Sequence, residues 1–446
     1  MRILIAPDKF KGTLSAALAA SAIERGVRLA CEAATPSIQP EIVIRPLADG
    51  GEGSHECLSA LLPMLPELQN VSVPTHSLPD ACGREHAVPY ITADSAALPE
   101  NGAARHCYLE TALAIGLLLP GARDRSILER ETTGVGRWIA QMVQSQAAAP
   151  GGLVLHLFLG GSATSDGGFG LSRALGFRFY TADPAAQPDA IEITDFAQLA
   201  SAACVTPPPP VNVPLTVWVY TDVQNPLDGP NGAARLFGPQ KGATPTEVET
   251  LEARLKKLGQ LFEDCLRPQL QHADRRHGLA QEQTTEQHSA EEPLFRAPGA
   301  GAAGGLALPL LYWPEALVRF RSGIDYFLDA AGISPTTNAE PDLILTGEGC
   351  TDRGSLQGKV VAGLLGAFRG PDSKSRAAIL VTSGMIPAED RAALCEAGFR
   401  DEYLHDTSTV CGEAWPITAD EAAARLTRTA EHAVRVYLGG GSGTRS

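Results

Sequence analysis

The chain has 446 residues, of which 44% are apolar and 20% charged, and its formal net charge is −15 at pH 7. That length predicts two or three domains with a sizeable core, and the acidic balance argues against nucleic acid or an anionic membrane as the main partner. No stretch supplies about 18 uncharged apolar residues in a row, so no membrane span is expected, and MRILIAPDKF reads as a first strand rather than a signal segment. Nine scattered cysteines without a C-x-x-C spacing suggest reduced thiols in a cytoplasmic protein, with no zinc site.

Ile3 to Ala6 is a short buried strand, followed by the loop Pro7-Asp8-Lys9-Phe10-Lys11-Gly12. Thr13 or Ser15 caps the alanine-rich helix that runs to about Cys31. Two lysines beside a helix N-terminus suit a phosphate or carboxylate. Ile42 to Leu47 gives a second strand, and Ala48-Asp49-Gly50-Gly51-Glu52-Gly53 opens the next helix. Val71 to Leu78, the turn Pro79 to Gly83, and Glu85 to Ile91 read as a hairpin. A helical stretch beginning with Thr132-Thr133-Gly134 runs to about Ser145.

Leu153 to Leu159 is almost unbroken apolar sequence, the mark of a strand buried on both faces. It breaks into Gly160-Gly161-Ser162-Ala163-Thr164-Ser165-Asp166-Gly167-Gly168, after which a helical pattern resumes. Glycines, hydroxyls and a carboxylate between a strand and a helix make the shape of an anion site, because bare N–H groups and the positive helix end face the ligand. The strand Leu215 to Tyr220 ends in Thr221-Asp222-Val223-Gln224-Asn225-Pro226-Leu227. Thr244-Pro245-Thr246-Glu247 is a capping box that starts a long scaffold helix. Arg267 to Glu292 is polar and Gln/His-rich without periodicity, the signature of a mobile surface insertion. Residues 297–305 contain a formal G-x-G-x-x-G, but no strand precedes it, so a dinucleotide-binding reading fails. Strand and helix alternate again afterwards: Leu343 to Leu345 leads into Thr346-Gly347-Glu348-Gly349, and Ala377 to Val381 leads into Thr382-Ser383-Gly384. A final helix ends near Leu438.

The β-loop-α segments at the two ends resemble each other, and the middle does not. The expected fold class is therefore α/β with two domains. A discontinuous Rossmann/flavodoxin-like domain is built from residues 1–75 and 291–446, and a mixed α/β domain, residues 76–290, is inserted into it. Ligands of open α/β sheets sit outside the carboxyl ends of the strands. The loops at Asp8, Asp49 and Glu348 are of that kind and would gather at one rim, facing the inserted domain.

Three chemistries compete for this inventory. Phosphoryl transfer is served by glycine loops, lysines and carboxylates for Mg²⁺, although Walker A and protein kinase signatures are absent; Gly354 to Val360 lacks the Walker spacing. A serine hydrolase would use Ser162 at a strand-to-helix turn, with Thr164 standing where a nucleophile elbow has glycine. A non-enzymatic binder of a small acid would explain the lysines and glycines but not the surplus of carboxylates.

The segments PDKFKGTLSA, ADGGEG, ETTGVG, GGSATSDGGFG, TDVQNPL with GPNGAA and FGPQKGA, PGAGAAGGL, and TGEGCTD with a following GK together resemble the type I glycerate kinase family. They fall in the family's order from residue 2 to about residue 384; each alone is weak, and seven in order are highly specific. The resemblance implies ATP-dependent phosphorylation of D-glycerate, in bacterial members mostly at the 2-hydroxyl rather than the 3-hydroxyl, with the active site in an interdomain cleft. It departs where Cys350 replaces an arginine and Gly354 a glutamine, and in the Gln/His-rich insertion. Small-molecule partners, D-glycerate and ATP, follow from it, with Mg²⁺ as cofactor.

The roles expected on that basis are these. Lys9 and Lys11 neutralise a phosphate or the glycerate carboxylate, with Lys11 counted among the catalytic groups. Ser162 and Thr164, with the backbone at Gly160 and Gly161, cradle an anionic group, and Gly50 and Gly51 form a second backbone approach. Lys241 and Lys359 are further phosphate contacts. Among the carboxylates, Asp166 is the first choice for the base that accepts the hydroxyl proton, with Asp49 beside it in the catalytic set. Asp222, Glu348 and Asp352 are the candidates for holding Mg²⁺.

Overall fold

The structure, a computed structural model, describes residues 1–95, 104–145, 151–277, 292–333, 341–356, 358–369, 375–412, 415 and 418–440. The chain forms two compact units, Met1–Leu61 with Ser322–Ser446, and Leu62–Arg321. The sequence placed the boundaries elsewhere: residues 62–75 and 291–321 were expected with the termini. They pack with the inserted unit because Leu68–Ser72 pairs with Ile91–Ser95 and Ala316–Arg321 pairs with Leu215–Tyr220.

The terminal unit is a five-stranded, wholly parallel sheet in the order Leu404–Asp406, Ala378–Ser383, Leu343–Thr346, Arg2–Ile5, Glu41–Ile44. Numbered along the unit this is the 2-1-3-4-5 order of flavodoxin-like sheets, whose switch point lies between the first and third strands. Parallel strands need coverage on both faces: Ile3, Ile5, Leu343, Leu345 and Leu380 are buried on one, and Leu4, Ile344, Ile379 and Val381 on the other. Helix Ala16–Ala33 is capped by the Ser15 hydroxyl, which accepts from Leu18 N at 3.3 Å. It lies hard against Ala419–Gly440: a Cβ on Gly26 would come within 2.3 Å of the Thr427 carbonyl oxygen, so only glycine permits this approach.

The inserted unit carries a mixed six-stranded sheet in the order Ala316–Arg321, Leu215–Tyr220, Leu153–Phe158, Arg105–Glu110, Ile91–Ser95, Leu68–Ser72. The first four strands are parallel and the last two antiparallel. One face supplies Leu109, Leu155, Leu157, Val217 and Val219 to a core shared with Trp138, Leu171, Leu255, Leu258 and Phe262; each such fully buried side chain contributes about 1.5–3 kcal/mol. The expected strand Val71 to Leu78 is two strands, of which Thr75–Pro79 makes the hairpin with Glu85–Pro89. The capping box forms as expected: Glu247 Oε2 accepts from Thr244 N at 2.8 Å, and Thr244 Oγ1 accepts from Glu247 N at 3.3 Å. Its helix runs from Pro245 to His277 and passes through Pro268. Residues 267–277, expected to be mobile, therefore continue the helix, and 278–291 lie outside the described residues. No helix among the described residues is long and apolar enough to cross a membrane.

Candidate active site

In the terminal unit, three neighbouring parallel strands deliver acids at their carboxyl ends: Asp8 after Arg2–Ile5, Asp49 after Glu41–Ile44, and Glu348 after Leu343–Thr346. The first and third loops are tied together, since Asp8 N donates to Gly347 O at 3.0 Å. Asp8 is buried, and its Oδ1 accepts from Lys9 N at 2.7 Å. Burial first, then the charges of Asp49 and Glu348, hold its carboxyl well above the usual carboxylate range, against the pull of Lys9. Glu348 is 7% exposed, and its Oε1 is buried without a hydrogen-bond partner among the described residues. Burial raises its proton affinity, while Lys359, whose Nζ lies 3.6 Å from Oε2, works to lower it. Burial opposes the charge of Lys359, but Glu348, Asp352, Asp49 and Asp8 outweigh it and push its proton affinity up.

The other predicted residues of this unit are less enclosed. Lys9 is half-buried, donates to the Glu52 carbonyl and lies 4.0 Å from the Glu52 carboxylate, whereas Lys11 is exposed. Asp49 is half-buried and accepts from Gly51 N at 2.9 Å; Gly50 is buried beside it. Asp352 heads the short turn Arg353–Leu356, accepting from Ser355 N at 3.1 Å. Trp415 braces the first loop from the far end of the chain. Its indole N–H donates to Thr13 Oγ1 at 3.1 Å, and its ring sits 5.2 Å from that of buried Phe10.

In the inserted unit the turn after Leu153–Phe158 is built from below by cations. Gly161 takes φ +82°, a left-handed conformation that suits glycine. Lys241, 4% exposed, donates to Ser162 Oγ at 3.1 Å and to Thr164 O at 2.5 Å. Arg130, also 4% exposed, donates to Ala163 O at 3.3 Å, Lys241 O at 2.9 Å and Arg125 O at 3.0 Å. Thr164 and Ser165 are wholly buried, and neither hydroxyl has a partner. Gly160 is half-buried and Gly161 exposed. The G-x-G-x-x-G segment braces this turn: Gly304 O accepts from Gly167 N at 2.9 Å, and a Cβ on Gly304 would lie 2.4 Å from Thr164 O.

Asp166 departs from its expected role. It is 1% exposed; its Oδ2 accepts from Thr132 N, Thr132 Oγ1 and Gly170 N, each at 2.9 Å, and its Oδ1 from Gly168 N at 3.2 Å. Burial pushes its carboxyl up to about 6 against these bonds from Gly170 and Thr132. With both oxygens engaged by Thr132, Gly168 and Gly170, it fixes the helix head and the turn. Asp222 is exposed at the end of Leu215–Tyr220, in a different unit from Glu348 and Asp352. No three of His, Cys, Asp or Glu converge as a metal cage among the described residues. Mg²⁺ held through one or two carboxylates and phosphate oxygens needs none.

The profile of the glycerate kinase family matches residues 3–438. The chain belongs to the glycerate kinase family. It is 30% identical to glycerate 2-kinase of Escherichia coli strain K12 over 374 residues, covering 82% of this chain and 81% of that one. It is 31% identical to glycerate kinase of Bacillus subtilis strain 168 over 381 residues, 83% of each chain. A crystal structure assigned as glycerate kinase 2 from Salmonella typhimurium LT2 superposes with a TM-score of 0.66 at 25% identity, over 100% of both chains. The protein is thus an enzyme of the phosphotransferase class.

Within that family frame, sequence reasoning missed three residues. Asp8 lay in a loop singled out for its lysines, and its position at a strand end was the available signal. Arg130 and Trp415 had no local signal, since tertiary packing alone brings them to the loops. At the departure from the family pattern, Cys350 is half-buried, and burial together with Asp352 and Glu348 pushes its thiol up. It adds no positive charge where an arginine was expected, and Lys359 is the cation beside Glu348.

Proposed function

We propose that this glycerate kinase family member transfers the γ-phosphoryl group of ATP to D-glycerate, at the 2-hydroxyl, with Mg²⁺ bound. The observation that carries the reading is Glu348, a buried carboxylate with an unpartnered oxygen, set among Asp8, Asp49 and Lys359 at the switch point of a parallel sheet. A hard cation suits that oxygen. Glu348 and Asp352 would hold Mg²⁺, with Asp222 a further ligand from the inserted unit. When bound, the ion supplies charge neutralisation at the phosphate oxygens.

This chain's own groups do the rest. The proton of the glycerate hydroxyl falls to Asp8, whose raised proton affinity brings it nearer working pH than an ordinary aspartate; Asp49 supports it by charge. Lys9, Lys11 and Lys359 neutralise anionic oxygens, with Gly50 and Gly51 allowing close backbone approach. Ser162 and Thr164, over Lys241, take another anionic group at the Gly160-Gly161 turn. The interdomain cleft expected from the sequence is part of this proposal.

A serine-hydrolase role is disfavoured by the company Ser162 keeps: its hydroxyl meets Lys241, which is also bound to a backbone carbonyl, and no histidine. Substrate analogues test the proposal. ADP formation should follow D-glycerate and D-lactate, which keep the 2-hydroxyl, and should fail with 3-hydroxypropionate, which lacks it. ADP with D-glycerate and 3-hydroxypropionate but not with D-lactate would reassign the enzyme to the 3-hydroxyl, and no ADP with any of them would remove the reading.

A further inference from the structure

We propose that the Ser162–Ser165 turn is an oxyanion seat for a phosphate group, charged from beneath by Arg130 and Lys241, and that the anion binds there together with a proton taken up by Lys241. The inference deepens the kinase reading above and rests on it for the identity of the anion.

Two cations are buried here, and the acid that acts on Lys241, Asp166, has its oxygens engaged by Thr132, Gly168 and Gly170. The hydrogen bonds of Arg130 all run to backbone carbonyls, those of Arg125, Ala163 and Lys241. Burying two cations beside the single buried carboxylate of Asp166 is costly, and a bound anion offsets part of that cost. The carbonyls that receive these cations belong to consecutive peptide groups, Ala163-Thr164 and Thr164-Ser165. A carbonyl bound to a cation makes the N–H of the same peptide group a stronger donor. The Ser162 hydroxyl accepts from Lys241, which leaves its own proton free to donate. The buried hydroxyls of Thr164 and Ser165 lack partners, and Gly160 and Gly161 open the turn to solvent. These hydroxyls therefore lack the acceptor that an oxyanion brings.

The titratable groups acting on this pair are Asp166 and Arg130 on Lys241, and Cys82, Arg123 and Glu247 on Arg130. Burial is the largest influence on Lys241 and draws it down to about 7. Without ligand Lys241 therefore holds its proton less tightly than an ordinary lysine, and an arriving anion strengthens that hold. Affinity falls as pH rises above 7.

Tripolyphosphate is the probe, titrated calorimetrically into the full chain at pH 8 in two buffers of different ionisation enthalpy. The wild type should take up roughly half to one proton per site. Lys241→Arg, which keeps its charge, should bind with no uptake, and Arg130→Gln should bind at least about tenfold more weakly. Ser162→Ala, which leaves both cations in place, should bind several-fold more weakly with uptake unchanged; it serves if the cation variants do not fold. Absence of binding, zero uptake by the wild type, equal uptake by Lys241→Arg, or affinity unchanged in Arg130→Gln and Ser162→Ala would each overturn the inference. A wild type that binds with proton uptake yet never phosphorylates D-glycerate would sink the kinase reading alone.

Discussion

The loops after Arg2–Ile5 and Leu343–Thr346 and the turn after Leu153–Phe158 solve one topological problem with opposite charge. Each is a glycine-bearing exit from a parallel strand, where backbone donors are exposed to a ligand. The terminal unit crowds Asp8, Asp49 and Glu348 together, and Asp8 and Glu348 hold protons more tightly than usual. The inserted unit buries Arg130 and Lys241 under hydroxyls, so that a lysine holds its proton less tightly. Glycine loops alone therefore specify a place for a ligand, and the buried charge beneath them decides which part of the reaction is served. One set is suited to a cation and a hydroxyl proton, the other to an oxyanion.

Removing the acid side should have the largest effect. Glu348→Gln keeps shape but loses charge, and kcat should fall by on the order of a hundredfold or more, with a higher Mg²⁺ requirement. Near-normal kcat at ordinary Mg²⁺ would break the contrast. On the cation side, Ser162→Ala removes one hydroxyl facing the proposed anion and should lower kcat/KM by about tenfold, the worth of one hydrogen bond to a charged group. An unchanged kcat/KM would detach the turn from the reaction.

The pH dependence of stability sharpens the comparison further. The folded chain draws Lys241 from 10.5 down to about 7, so between those values the unfolded chain binds more protons and stability rises with pH. Urea unfolding at pH 7 and 9 should show the wild type gaining stability relative to Lys241→Met; equal changes would mean that Lys241 keeps its proton in the fold. The smallest effect belongs to the brace. Trp415→Phe loses the indole N–H bond to Thr13 while keeping a ring near Phe10, and KM should rise only a few-fold, from a bond worth about 0.5–1.5 kcal/mol. A hundredfold loss would show that Trp415 touches substrate.

The flavodoxin-like sheet was legible because residues 3–5 and 343–345 are unbroken apolar runs, which a doubly covered strand explains. The capping box at Thr244 and Glu247 is local chemistry and formed as read. Other features were hidden. Arg105–Glu110 carries charge at both ends and Ala316–Arg321 sets Arg319 between apolar residues, so neither segment announces a buried strand. Leu68–Ser72 and Ala316–Arg321 are the strands that tie the flanking segments to the inserted unit. Pro268 and the glutamines after it masked a helix that continues to His277. The candidate loops could be read from glycines and hydroxyls, but the inward turn of Asp166 could not. Its four donors come from Thr132 and from glycines 168 and 170, and only folding brings Thr132 there.

The most direct test of the account is the product itself. The full chain is incubated with Mg-ATP and D-glycerate, and the phosphorylated acid is identified by ³¹P and ¹³C NMR. The account predicts 2-phosphoglycerate with one ADP released per molecule formed. Release of ADP without a phosphorylated acid, or phosphate carried on the 3-carbon, would contradict it.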